Sequence, residues 1–139
     1  MSILVWQNKF HISRSGKNMA KILVVDDSPT ILAGTSKIIK SAGHDVIQAE
    51  SGAQAIEKAN SENPDVIIMD VVMPDMNGFQ ATRKLTSSPE TKHIPIIMLT
   101  TKDQETDKVW AKRQGASDYI VKPPKPDDLL AKINSLLVN

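Results

Sequence analysis

A chain of 139 residues, 40% hydrophobic and 24% charged, has room for one domain of ordinary composition. It contains no cysteine, which excludes disulfides and thiolate metal sites, and no apolar run approaches the ~18 residues of a membrane-spanning helix. Three of its 17 bases and none of its 16 acids lie in residues 1–18, so residues 19–139 carry 14 bases against 16 acids, and the basic footprint of a nucleic-acid binder is missing.

Residues 1–18 read as an N-terminal extension: a short apolar segment, Ile3-Leu4-Val5-Trp6, and a polar joint from Ser13 to Asn18. The apolar segment is too short for a secretory signal. It fits a short strand laid against the domain or against another copy. It fits equally an extension without function, because Met19-Ala20-Lys21 makes a natural start of its own.

From Lys21 onward two periods alternate. Short apolar runs recur at Ile22–Val25, Val46-Ile47, Val66–Met69, Ile94–Leu99 and Tyr119–Val121, as suits strands buried on both faces of a parallel sheet. Between them lie segments of helical length. Ser28-Pro29 starts the first, with Ile31, Thr35, Ile38 and Ala42 at helical spacing and Gly43 at its end. Ser51-Gly52 starts the second, with Ala55, Ile56 and Ala59 inward. Asn77-Gly78 starts the third, and Ser88-Pro89 closes it. Asp103 is expected to cap the fourth, which stops at Gly115 and has only Val109 and Trp110 as large apolar residues. Pro126-Asp127-Asp128 opens the fifth, with its stripe of Leu129, Leu130, Ile133, Leu136 and Leu137. Five βα units imply a parallel sheet with right-handed crossovers and helices on both faces.

The chemistry stands at the ends of the strands. Strand 1 ends in Asp26-Asp27, strand 3 in Asp70, strand 4 in Thr100-Thr101 and strand 5 in Lys122-Pro123. In an open α/β sheet, ligands bind beyond the carboxyl ends of the strands, so three carboxylates, a hydroxyl and an ammonium converge. Clustered carboxylates repel one another unless a hard cation sits among them, and oxygen ligands suit Mg2+. One carboxylate, left free on one side, can attack phosphorus to form an acyl phosphate, while the ammonium and the hydroxyl contact the other phosphoryl oxygens. His11, His44 and His93 show no ligand spacing and read as surface groups. Met69, Met73, Met76 and Met98 read as core and loop filling.

These residues resemble the response-regulator receiver domain, the CheY-like family of two-component signalling. The resemblance runs from Met19 to about Val138 and rests on Ile22–Ser28, Ile68–Gly78, Thr100 and Gly115–Pro123. It implies a (βα)5 doubly wound sheet in the order 2-1-3-4-5, with Asp70 as phosphoacceptor. It also implies Mg2+ held by Asp26, Asp27, Asp70 and the backbone carbonyl of Val72. Thr100 and Lys122 are then the phosphoryl contacts, Tyr119 the aromatic that follows Thr100, and the Lys122-Pro123 peptide cis. A narrower likeness, over Val71–Arg83 and Thr101–Trp110, is to PilH-type regulators of type IV pilus twitching motility.

The sequence departs from the commonest family pattern at Thr101, where a small residue often stands, and at Pro124, where an aromatic often follows Lys-Pro. Val72 and Lys102 flank the path of the attacking water, so these two and Thr101 are expected to tune the acyl-phosphate lifetime. Val109, Trp110, Tyr119 and Pro124 are candidates for an output face. The resemblance implies a stand-alone, cytoplasmic regulator, phosphorylated by a histidine kinase or phosphotransfer domain and acting on a protein partner, or else draining phosphate from a shared kinase. A monomer or weak dimer is expected, with no nucleic acid and no membrane insertion. A Mg-dependent aspartyl-phosphate phosphohydrolase needs an acid two residues after its nucleophile, and that position is Val72. A flavin carrier would meet repulsion between its phosphate and Asp26-Asp27.

Overall fold

A computed structural model describes residues 19–101 and 105–137, with the side chains of 105–107 left aside. The extension of residues 1–18, Lys102 and the expected cap at Asp103 lie outside the described residues. Five parallel strands, β1 (Lys21–Val25), β2 (Asp45–Ala49), β3 (Val66–Asp70), β4 (Ile96–Thr100) and β5 (Asp118–Val121), form one sheet in the order β2-β1-β3-β4-β5. The helices between and after them are α1 (Pro29–Ser41), α2 (Gly52–Glu62), α3 (Gly78–Ser87), α4 (Glu105–Arg113) and α5 (Pro126–Leu137).

The strands split their side chains between two cores. Leu23, Val25, Ile67, Met69, Ile96 and Met98 point towards α2, α3 and α4, where they meet Ala55, Ala59, Ala81, Leu85 and Ala111. Their neighbours Ile22, Val24, Ile68, Ile97 and Leu99 point the other way, onto Leu32 and Ile39 of α1 and Leu129 and Ile133 of α5. Each wholly buried Leu or Ile side chain contributes about 1.5–3 kcal/mol, so β1, β3 and β4 are the rigid centre. The edge strands are shallower: only Ala49 of β2 and Ile120 of β5 are buried.

Local signals set the helix starts. Ser28 caps α1 by accepting from the Ile31 N–H, and Ser51 caps α2 by accepting from the Gln54 N–H. Asn77 and Gln80 close a reciprocal capping box on α3. Pro95 has no N–H to give, and β4 begins after it rather than at Ile94.

The inward face of α1 is Leu32, Thr35, Ser36 and Ile39, with Ile38 partly buried against the same core. One expectation is corrected. His44 is not a surface group: it is 5% exposed, and its Nδ1 accepts from the Ala20 N–H at 3.1 Å. Burial holds its pKa below 6.5, against the pull of Asp65 and Asp45. His93 is exposed, as expected.

Candidate functional site

The strand order reverses at β1, whose neighbours are β2 and β3. The carboxyl ends of β1 and β3 therefore open side by side, and Asp26, Asp27 and Asp70 each offer a carboxylate oxygen within 4.8 Å of the others. Asp26 and Asp70 are 1% and 2% exposed, whereas Asp27 faces solvent. Lys122, at the end of β5, reaches across: its Nζ lies 2.6 Å from Asp70 Oδ1 and 2.9 Å from Asp26 Oδ2. The Lys122 backbone N–H donates to the Thr100 carbonyl at 2.6 Å, which ties the ends of β4 and β5 together. Thr100 itself is 4% exposed, and the Lys122-Pro123 peptide is cis.

Each oxygen has a distinct duty. Asp26 Oδ1 accepts from the Ser28 N–H at 2.9 Å, at the entrance to α1. Asp26 Oδ2 is buried and has the Lys122 ion pair but no hydrogen bond of directional geometry. Asp70 Oδ1 takes Lys122 and, at 3.4 Å, the Val72 N–H. Its Oδ2 has no hydrogen bond among the described residues.

The Asp70 carboxyl is pushed up to about 6, by burial above all and by the Asp26 charge, against the pull of Lys122 and the Val72 N–H. Lys122 loses some basicity to burial, but its bonds to Asp70 and Asp26 outweigh that and hold it above its ordinary value. Three carboxylates served by one ammonium leave negative charge uncompensated, and a buried oxygen without a directional donor is where a hard cation gains most. The donor set is all oxygen and fits Mg2+.

The β3–α3 turn makes the approach possible. The Gly78 N–H donates to the Val71 carbonyl at 2.8 Å, and a Cβ on Gly78 would lie 2.1 Å from the Asp70 carbonyl oxygen. Only glycine fits there. The sequence marks Gly78 as a helix start but carries no local sign that it supports Asp70.

The other candidate residues separate. Val72 is 67% exposed at the rim, and Thr101 is exposed. Val109 and Tyr119 share a groove of about 330 Å³ between α4 and β5, where Lys108 Nζ stands 5.2 Å from the centre of the Tyr119 ring. Trp110 faces another side of α4, in a groove shared with α3. Pro124 lines a third, of about 470 Å³, with Ile31, Thr35, Ile38 and Thr101. The four residues grouped as one output face thus divide among three surfaces.

Comparison with known proteins agrees with this geometry. The response regulator receiver domain family matches residues 22–134. Protein PilH of Pseudomonas aeruginosa is 55% identical over 119 residues, 86% of this chain and 98% of that protein. The chemotaxis protein CheY4 of Vibrio cholerae superposes with a TM-score of 0.80 at 39% identity, over 85% of this chain and 98% of that one. The receiver domain of the sensor histidine kinase PA1611 from P. aeruginosa, at 28% identity and a TM-score of 0.80 over 86% and 98% of the two chains, holds a magnesium ion coordinated in its active site cleft. With the family's sequence pattern across nearly all of residues 19–139, and three acids and a lysine gathered at the reversal of a 2-1-3-4-5 sheet, the chain belongs to the response regulator receiver domain family.

Proposed function

We propose that this chain is a stand-alone response regulator in which residues 19–139 are the receiver and Asp70 accepts a phosphoryl group from a histidine kinase or phosphotransfer domain. The observation that carries the reading is the pairing of a buried, electron-rich Asp70 with Lys122 at 2.6 Å, beside the two acids of β1. Asp70 Oδ2 attacks phosphorus, the donor's N–P bond breaks, and its electron pair leaves with the imidazole. Lys122 then moves its charge onto a phosphoryl oxygen, and the Thr100 hydroxyl, one residue beyond the Asp70 partner Leu99 on β4, contacts another. Asp26, Asp27, Asp70 and the Val72 carbonyl would hold Mg2+, which neutralises the charge gathered on the transferring group when bound.

Pulling Lys122 and Thr100 towards the phosphoryl group changes the β4–β5 side of the domain, where Tyr119 and Val109 form the output groove. Val72 gives an apolar rim and no proton, so turnover of other phosphate esters is disfavoured, and Val72, Thr101 and Lys102 tune only the lifetime of the aspartyl phosphate. The 55% identity to PilH, over 98% of that protein, supports a role in type IV pilus twitching motility. Among the described residues no helix is long and apolar enough to cross a membrane, and the reading places the protein in the cytoplasm.

Intact mass after incubation with acetyl phosphate and Mg2+ tests this. Wild type is expected to gain one phosphoryl group, and Asp70→Asn none. An adduct on the asparagine variant, or one indifferent to a chelator, would sink the assignment.

A further inference from the structure

The α3–α4 side of the domain carries a groove that takes no part in the phosphoacceptor site. Phe79 and Arg83 of α3 face Trp110 and Gln114 of α4 across about 350 Å³. Gln80 and Arg83 also line an adjoining trough of about 430 Å³ with Met76 and Lys84, so the two run together along the outer face of α3. Trp110 is 49% exposed, and the Arg113 guanidinium stands 5.7 Å from the centre of its ring. The walls are tied at one end. Thr86 Oγ1 donates to the Gln114 carbonyl at 2.8 Å, and Gly115, at φ +98°, would bring a Cβ within 2.8 Å of Thr86.

The charge of this face opposes that of the domain. Residues 19–139 carry more acids than bases, yet α3 holds Arg83 and Lys84 and no acid. The acids of α4, Glu105 and Asp107, belong to its first turn, whereas Lys112 and Arg113 stand in its last turn beside Gln114. Asp75 is the one acid lining the trough among the described residues. Neither of the two other grooves described above combines these features. The groove beside Pro124 has Lys122 as its cation, and Asp26 and Asp70 already engage it. The one at Tyr119 sets Asp118 among its lysines.

Tryptophan and arginine are the side chains that most often carry binding energy at a contact, and arginine takes carboxylates in paired hydrogen bonds. We propose that the α3–α4 groove docks an acidic peptide segment of a partner protein. A large apolar side chain of the peptide sits between Phe79 and Trp110, and its carboxylates lie on Arg83 and Arg113. The surface is separate from the Val109–Tyr119 groove but shares α4 with it, so a partner seated here holds the same helix from another side.

The test uses the full chain and a short fluorescein-labelled peptide of glutamates around a central phenylalanine and leucine, beside the same peptide with lysines for glutamates. Anisotropy is expected to rise to saturation with the glutamate peptide alone and to weaken with added salt. Affinity should fall about tenfold or more in Trp110→Ala and in the Arg83→Glu/Arg113→Glu double variant. The double variant changes no residue of the phosphoacceptor site, so it should still take a phosphoryl group from acetyl phosphate, which also reports that it folds. Equal binding of both peptides, undiminished binding by the double variant, or no binding at all would overturn the proposal. So would sedimentation showing that the double variant dissolves a dimer of the free chain, which would give the groove to a second copy.

Discussion

Asp70→Asn is expected to make the metal-free protein more stable at neutral pH, although it removes the phosphoacceptor. The folded carboxyl titrates at about 6 rather than 3.8, so the folded state binds this proton more tightly than the unfolded chain does. The sign follows: this group's contribution is most favourable below about 3.8 and is lost as the pH rises through about 6. Above that, keeping Asp70 ionised among its neighbours costs about 3 kcal/mol, at about 1.4 kcal/mol for each pH unit between the two values. Asparagine keeps the shape and an acceptor for Lys122 while carrying no charge. That cost is already net of the attraction to Lys122, which lowers the Asp70 pKa, so the variant should gain up to about 3 kcal/mol at pH 7.5. Urea unfolding of both proteins in chelator, at pH 7.5 and at pH 4, reads the difference directly. The gap should close or reverse at pH 4, and Mg2+ at pH 7.5 should stabilise wild type more than the variant. An asparagine variant less stable than wild type at pH 7.5, or a gap that ignores pH, would refute the electrostatic account.

Other perturbations probe the supports of the same site. Lys122→Ala removes the ammonium from two buried carboxylates, and the Asp70 titration should move upward from about 6; a carboxylate-resolved NMR titration that stays at or below 6 would contradict this. Gly78→Ala sets a Cβ against the Asp70 carbonyl oxygen and should cost about 3 kcal/mol or more in urea unfolding, with slower phosphorylation in whatever fraction folds. His44 is buried with Nδ1 engaged and a lowered pKa. The unfolded chain therefore binds its proton first, and its contribution is whole above about 6.5 and lost as the pH falls below that. Thermal midpoints between pH 7.5 and pH 5 should drop less steeply in His44→Gln; parallel slopes would remove His44 from the account.

The alternation of buried β-branched runs with capped helical segments was enough to place five strands and five helices, because β1, β3 and β4 are buried on both faces. The acids and the lysine were legible too, since each ends a strand of a parallel sheet and one rule of that architecture brings strand ends together. What could not be read was set by packing across long separations. Ile31 and Leu32 are equally apolar, and only the sheet decides that Leu32 faces it. His44 looks like any loop histidine until Ala20, 24 residues earlier, is found donating to it. Trp110 and Val109 are adjacent in sequence, yet a helix turns successive residues about 100° apart, and they face different grooves.

The division of labour within Asp26 has a consequence for ion selectivity. Its Oδ1 accepts from the backbone at the entrance of α1, which fixes the orientation of the carboxylate and turns Oδ2 towards Lys122 and the other acids. Calcium prefers six to eight oxygens and commonly takes carboxylates two oxygens at a time, whereas magnesium is content with one or two single contacts and a shell of water. A residue fastened in this way gives the larger ion little more than it gives the smaller one. A cation bound among these acids would then be biased towards magnesium by the hydrogen bond that holds α1 in place.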